Sequence, residues 1–227
     1  MLKRPVALAV LALAAATTLT ACGSGSDSGA ATAKDGVTCS YPSSGTAAAA
    51  VTAPGTTATA SGTTAATLKL SAGDVPLTLE NSVAPCTVNS FVSLAKQGYF
   101  DNTPCHRLTT SGIYVLQCGD PSGTGSGGPG YSFDDELEGA KALQDSGSSK
   151  NYAAGTLAMA NAGANTNGSQ FFLVYADSPL PPAYTVFGKV SAEGLSVLTA
   201  IAKKGTVDGG GDGAPKDAVT ITSLSVG

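Results

Sequence analysis

From residue 64 to the C-terminus the chain breaks into about eight short β-favouring runs punctuated by Gly, Asn, Asp and Ser, and only two stretches carry a helical period. Ala66-Thr-Leu-Lys-Leu70 alternates, and Val75-Pro-Leu-Thr-Leu79 follows the turn signal Ser71-Ala-Gly-Asp74, which predicts a hairpin. Over 85–97 the period changes: Pro85 suits a first helical turn, Val88, Phe91, Val92, Leu94 and Ala95 form an apolar stripe, and Gly98 ends it. Further strands are predicted at 105–108, 114–118, 157–160, 170–174, 185–190 and 219–226, with a long glycine-rich loop over 119–130. A second helix spans 195–202, where Lys203 and Lys204 complement the negative end of the helix dipole. Many strands and two helices far apart in sequence predict a mainly β fold: a closed eight-stranded antiparallel barrel capped by two α-helices.

The N-terminus bears on the compartment. Lys3 and Arg4 precede a short apolar run, Val6 to Ala16, and small residues lead to Cys22. That is the layout of a secretory signal, and the run is shorter than the ~20 apolar residues a spanning helix needs. Leu19-Thr20-Ala21-Cys22 resembles a bacterial lipobox, so residues 1–21 are expected to be a lipoprotein signal peptide. Cys22 is then the lipidated N-terminus of an exported, membrane-anchored, extracytoplasmic protein. Residues 22–63 are dominated by Gly, Ser, Ala, Thr and Pro and show no period, which predicts a flexible tether reaching roughly 35 Å. Cys39 and Tyr41 stand out in it and hint that one patch docks onto the 64–227 domain.

Loss of the signal takes away two cations, leaving 10 Lys and Arg against 16 Asp and Glu, a net charge of −6. No basic run exists, so nucleic acid is not an expected partner. Four cysteines remain besides Cys22, namely Cys39, Cys86, Cys105 and Cys118, and an even count in an exported chain points to one or two disulfides. No C-x-x-C spacing supports a metal centre, and Asp208-Gly-Gly-Gly-Asp-Gly213 reads as a turn as readily as a calcium loop. No metal or cofactor is expected.

The segment Met159-Ala-Asn-Ala-Gly-Ala-Asn-Thr-Asn-Gly-Ser-Gln-Phe-Phe172 carries the most specific information in the chain. It resembles the central signature of the cyclophilin-type peptidyl-prolyl cis-trans isomerases, in the exported lipoprotein form of actinobacteria-like species. His106-Arg107 followed by Gln117-Cys-Gly-Asp120 resembles the strand pair bearing that family's catalytic arginine, and Tyr184-Thr-Val-Phe-Gly-Lys-Val190 its next strand. The resemblance covers roughly residues 64–226. It implies rotation of X-Pro bonds in exported, folding polypeptides, by a monomer whose partners are proline-containing segments.

The same resemblance implies the site. Arg107 is the cation aimed at the proline nitrogen, Gln117 lies opposite it and holds the substrate carbonyl, and Asn161 pairs through its main chain with the substrate backbone. Phe172, Val115, Tyr114 and Leu180 form the proline slot, Tyr184 is a polar wall, Gln170 completes the polar rim, and Ala160 and Gly125 line the groove. Taken alone, Arg107 reads as one half of a surface ion pair with Asp101 or Asp120; beside the matching signature it reads as the catalytic cation. Phe171 and Phe172 face opposite ways on a strand, so one is core and one pocket, and the alignment puts Phe172 in the pocket.

Three departures from the family's pattern matter. Nine residues separate Arg107 from Gln117, two more than usual, which leaves open whether Ile113 or Tyr114 enters the slot. The chain has no Trp, and the family's tryptophan position falls near Pro179, so only weak cyclosporin binding is expected. The loop from Gly98 to Pro104 is short, as in bacterial relatives. If Arg107 and Gln117 share a face, strict alternation puts Cys105 on that face and Cys118 on the other, which disfavours a bridge between them. Two other functions compete: a catalytically weak module or chaperone that grips proline segments at the cell surface, and a hydrolase using His106. The absent G-x-S-x-G elbow and the single histidine count against the second.

Overall fold

The computed structural model describes residues 36–227, so the signal-like segment and Cys22 lie outside the described residues. In chain order the elements are β1 (Gly36–Thr38), β2 (Thr57–Thr59), β3 (Thr63–Leu70), β4 (Gly73–Glu80), α1 (Pro85–Lys96), β5 (Thr103–Pro104), β6 (Arg107–Thr109), β7 (Val115–Cys118) and α2 (Glu138–Lys141). There follow β8 (Asp145–Ser146), β9 (Ser149–Tyr152), β10 (Thr156–Met159), β11 (Phe171–Val174), β12 (Ser178–Leu180), β13 (Val186–Val190), α3 (Ala192–Ala202), β14 (Asp212–Gly213) and β15 (Thr220–Val226).

Alternation builds the first hairpin as expected. β3 and β4 pair from Thr63↔Glu80 to Leu70↔Gly73, burying Leu68, Leu70, Val75, Leu77 and Leu79 on one face. The main antiparallel sheet runs in the order β14-β6-β7-β11-β10-β13-β4-β3-β15-β5. It curls, because one stretch of chain serves near both ends: Thr103 and Pro104 pair with β15, and Arg107 and Leu108 pair with β7. α1 begins at Pro85 and turns Val88, Phe91, Leu94 and Ala95 inward. Phe91 meets Phe100, Phe171 and Phe187 with ring centroids 5.3, 5.3 and 5.1 Å apart. Rings buried to this degree contribute about 2–3 kcal/mol each. α3 starts at Ser191, whose hydroxyl accepts the Gly194 N–H at 3.1 Å, and it lies against β4. A four-residue helix, α2, and the small sheet β12-β9-β8 add to the two helices and the strands expected.

Two expectations are corrected. Residues 22–63 are not a free tether over their described part. β1 pairs with β2, Cys39 is bonded to Cys86 at the start of α1, and the Tyr41 hydroxyl donates to the Cys86 carbonyl at 2.7 Å. Tyr41 also stacks edge-on against Tyr131 and Phe133 at 5.6 Å. This strap buries little apolar surface, which is why its composition reads as disordered; a disulfide and backbone hydrogen bonds hold it instead. The second correction is a Cys105–Cys118 disulfide. Strict alternation fails here because β6 starts only at Arg107. At Cys105 and His106 the chain changes partners from β15 to β7, its facing resets, and Cys105 turns into the core beside Cys118.

Candidate active site

Cross-strand register assembles the site. Arg107 on β6 faces Gln117 on β7, Gln117 faces Phe172 on β11, and Phe172 faces Ala158 on β10. Directly opposed residues leave a sheet on the same side, so one row carries a cation, an amide and an aromatic ring. The neighbouring row, Leu108, Leu116 and Leu173, enters the main core, as does Phe171 opposite Cys118. Phe172 belongs to a separate apolar cluster with Val115, Tyr152, Val174 and Leu180. The two phenylalanines are thus divided as expected.

A small cleft of about 140 Å³ brings together Arg107, Val115, Gln117, Ala160, Asn161, Phe172, Leu180 and Tyr184, all predicted from the sequence. Tyr184 stands edge-on to Phe172 at 5.5 Å, and its carbonyl accepts the Tyr152 hydroxyl at 3.1 Å. Asn161 is tied down by its side-chain amide, which donates to the Ala183 carbonyl at 2.8 Å. Tyr114 is the correction: Ile113 lines the slot in its place. Just before β7 the chain makes a tight bend, in which the Ile113 N–H donates to the Ser111 carbonyl and Gly112 takes φ +75°. That bend turns Tyr114 outward onto Tyr175, 5.9 Å away, and its N–H donates to the Ser178 hydroxyl. Gly125 and Gln170 do not line the slot; they line an adjoining, larger cleft.

A continuous chain of polar contacts runs through the site. Asp212 accepts from Arg107 Nε at 2.8 Å and Nη2 at 2.6 Å, a two-pronged ion pair, while Arg107 Nη1 donates to Gln117 Oε1 at 3.3 Å. Gln117 Nε2 donates to Gln170 Oε1 at 2.9 Å, and Gln170 Nε2 donates to the carbonyls of Gly125 and Gly127 at 3.0 Å. The loop carrying those carbonyls is wrapped on Asp120, which is fully buried and accepts from the N–H groups of Ser122, Gly125 and Gly127 and from the Ser122 and Thr124 hydroxyls. Burial pushes the Asp120 carboxyl up, but those hydrogen bonds outweigh it and hold the group at about 2. The ring of His106 sits under Gly125, its pKa lowered chiefly by burial, away from the slot. Arg107 pairs with neither Asp101 nor Asp120. Asp212, 105 residues further on, was missed as a site residue; its only sequence signal was the glycine-rich turn read as a faint calcium loop.

Comparison with known proteins agrees with this geometry. The family model described as cyclophilin type peptidyl-prolyl cis-trans isomerase/CLD matches residues 65–226. A probable peptidyl-prolyl cis-trans isomerase B of Mycobacterium leprae is 52% identical over 196 residues, covering 83% of this chain and 66% of the relative. That of Mycobacterium tuberculosis is 57% identical over 156 residues, covering 67% and 51%. The chain therefore spans between half and two thirds of the length of these mycobacterial relatives. A peptidyl-prolyl cis-trans isomerase-like 1 of Gibberella zeae is 40% identical, with 70% of this chain and 92% of the relative covered. A crystal structure of a cyclophilin type peptidyl-prolyl cis-trans isomerase from Cryptosporidium parvum superposes with a TM-score of 0.62 at 31% identity, covering 73% of this chain and 98% of the other. The same enzyme in the presence of the dipeptide Ala-Pro superposes with a TM-score of 0.61. On its sequence, its sheet and the row Arg107–Gln117–Phe172, this chain belongs to the cyclophilin-type peptidyl-prolyl cis-trans isomerase family.

Proposed function

We propose that the chain accelerates cis-trans rotation of X-Pro peptide bonds. The observation that carries this is a guanidinium held at the rim of an apolar slot, with no acid–base pair or nucleophile required. Rotation faces a barrier of roughly 18–20 kcal/mol because the nitrogen lone pair is shared with the carbonyl. An acceleration of about 10^5-fold requires lowering it by about 7 kcal/mol. Ile113, Val115, Phe172 and Leu180 take the proline ring, and Gln117 and Asn161 hold the flanking backbone. As the bond twists, the nitrogen lone pair localises and becomes an acceptor for Arg107. That hydrogen bond strengthens only in the transition state, which is the condition for catalysis rather than tight binding. The Cryptosporidium parvum relative solved in the presence of the dipeptide Ala-Pro supports a proline-containing ligand.

The setting we propose is outside the cytoplasm, on a lipid anchor at Cys22, acting on exported chains as they fold. The signal-like N-terminus supports it, as do two disulfides, Cys39–Cys86 and Cys105–Cys118, which persist in oxidising compartments. The test is a protease-coupled isomerisation assay on the full chain. Wild type accelerates rotation, and Arg107→Ala lowers kcat/KM about 100-fold or more with near-UV circular dichroism unchanged. Near-normal turnover by that variant would mean the cation is misassigned; no acceleration by wild type would favour a groove that only grips proline segments.

A further inference from the structure

Beside the proline slot lies a cleft of about 580 Å³ that shares Gln117, Ala160 and Asn161 with it. Part of its wall comes from outside the main sheet: Ser44, Gly45 and Thr46 of the N-terminal strap, all three exposed. The strap is seated here by the Cys39–Cys86 bond and by a run of backbone hydrogen bonds. Ser44 N–H donates to the Gly130 carbonyl at 2.9 Å, Ala48 N–H to the Gly128 carbonyl at 2.8 Å, and Ser132 N–H to the Pro42 carbonyl at 3.0 Å. A side chain at Gly130, where φ is +79°, would meet Ala47 at 3.1 Å, so the close approach depends on glycine. The residues lining the cleft include no Asp, Glu, Lys, Arg or His; they offer hydroxyls, amides and main-chain groups, with Gly125, Gly127 and Gly128 leaving it open.

We propose that Ser44–Thr46 form a substrate subsite, through which the strap selects an uncharged hydrogen-bonding side chain (Ser, Thr, Asn or Gln) a few residues from the proline. The proposal rests on the isomerase reading for its substrate class. A charged side chain entering this cleft sheds water and finds no counter-ion, whereas an amide or hydroxyl exchanges its water partners for those of the lining. Ser44 to Thr46 precede the 65–226 stretch that carries the catalytic row, so this wall can alter selection without touching the rotation chemistry.

The experiment uses the full chain and a set of Pro peptides varied one position at a time, from three residues before the proline to two after. Both equilibrium binding, by fluorescence anisotropy, and kcat/KM for isomerisation are read. At one position wild type favours Gln, Asn, Ser and Thr over Glu and Lys by about tenfold. Thr46→Glu raises the Lys-to-Glu preference there about tenfold, Thr46→Lys lowers it as much, and Cys39→Ser with Cys86→Ser flattens the profile by releasing the strap. Isomerisation with a flat profile, indifferent to Thr46, overturns the subsite and leaves the isomerase reading intact. Selective binding without isomerisation overturns the isomerase reading and leaves the subsite intact. Peptides neither bound nor turned over sink both.

Discussion

Asp212→Ala removes the ion pair of Arg107 while leaving every residue of the proline slot in place. The side chains of the pair are 41% and 54% exposed, so water screens them and their contribution to folding is about 0.2–1 kcal/mol. For a domain of this size that lowers Tm by roughly 0.4–4 °C. The effect on rate is larger for a different reason. Asp212 fixes two guanidinium nitrogens, at 2.8 and 2.6 Å, leaving only the longer 3.3 Å contact to Gln117 when it is removed. An arginine carries about 2 kcal/mol of rotamer freedom. If half to three quarters of it must be lost again in each transition state, kcat/KM falls about tenfold. The loss falls in kcat with KM nearly constant, because the orientation matters only when the twisted nitrogen accepts. Asp212→Asn, which keeps an acceptor, recovers most of it. The protease-coupled assay with a KM–kcat split, beside a thermal melt, reads both numbers. Unchanged or faster turnover in Asp212→Ala would refute the positioning argument: it would mean the carboxylate only damps the field of Arg107.

Three further outcomes are expected. The Asp120 carboxyl is held at about 2 against an ordinary 3.8, so its contribution, about 2 kcal/mol, is full above roughly pH 5 and is lost as pH falls from about 4 towards 2; acid unfolding of Asp120→Asn is flatter over that range, and an unaltered slope refutes the assignment. Cys105 and Cys118 are separated by 13 residues, and closing a loop of that size is worth about 3 kcal/mol; Cys105→Ala with Cys118→Ala therefore lowers Tm on the order of 10 °C, and a drop under about 2 °C in calorimetry contradicts it. With no tryptophan to anchor it, cyclosporin binds at least about 30-fold more weakly than to a relative bearing the indole, as an inhibition titration of the two side by side measures.

How much was legible in the sequence follows from the range of each signal. Period 2, helical period and turn residues report the backbone over a few residues, so the β3–β4 hairpin, the α1 stripe and the opposite facing of Phe171 and Phe172 could be read directly, while the shared face of Arg107 and Gln117 came from the family resemblance. Tyr114 was misplaced because period 2 takes no account of the bend at Gly112, which rotates the facing just before β7. The Cys105–Cys118 bond was misjudged for the same reason, at the point where the strand changes neighbours.

The sequence by itself determined most strands of the main sheet, the two principal helices and the family, because these depend on local alternation and on a motif of unusual composition. Only the tertiary structure decided that Asp212 reaches Arg107 and that the strap lines one side of the cleft beside the slot. Both depend on residues brought together across long stretches of chain by the curled sheet. The bonds involved, an ion pair, a disulfide and main-chain hydrogen bonds from a Gly- and Ser-rich segment, leave no hydrophobic period to be read.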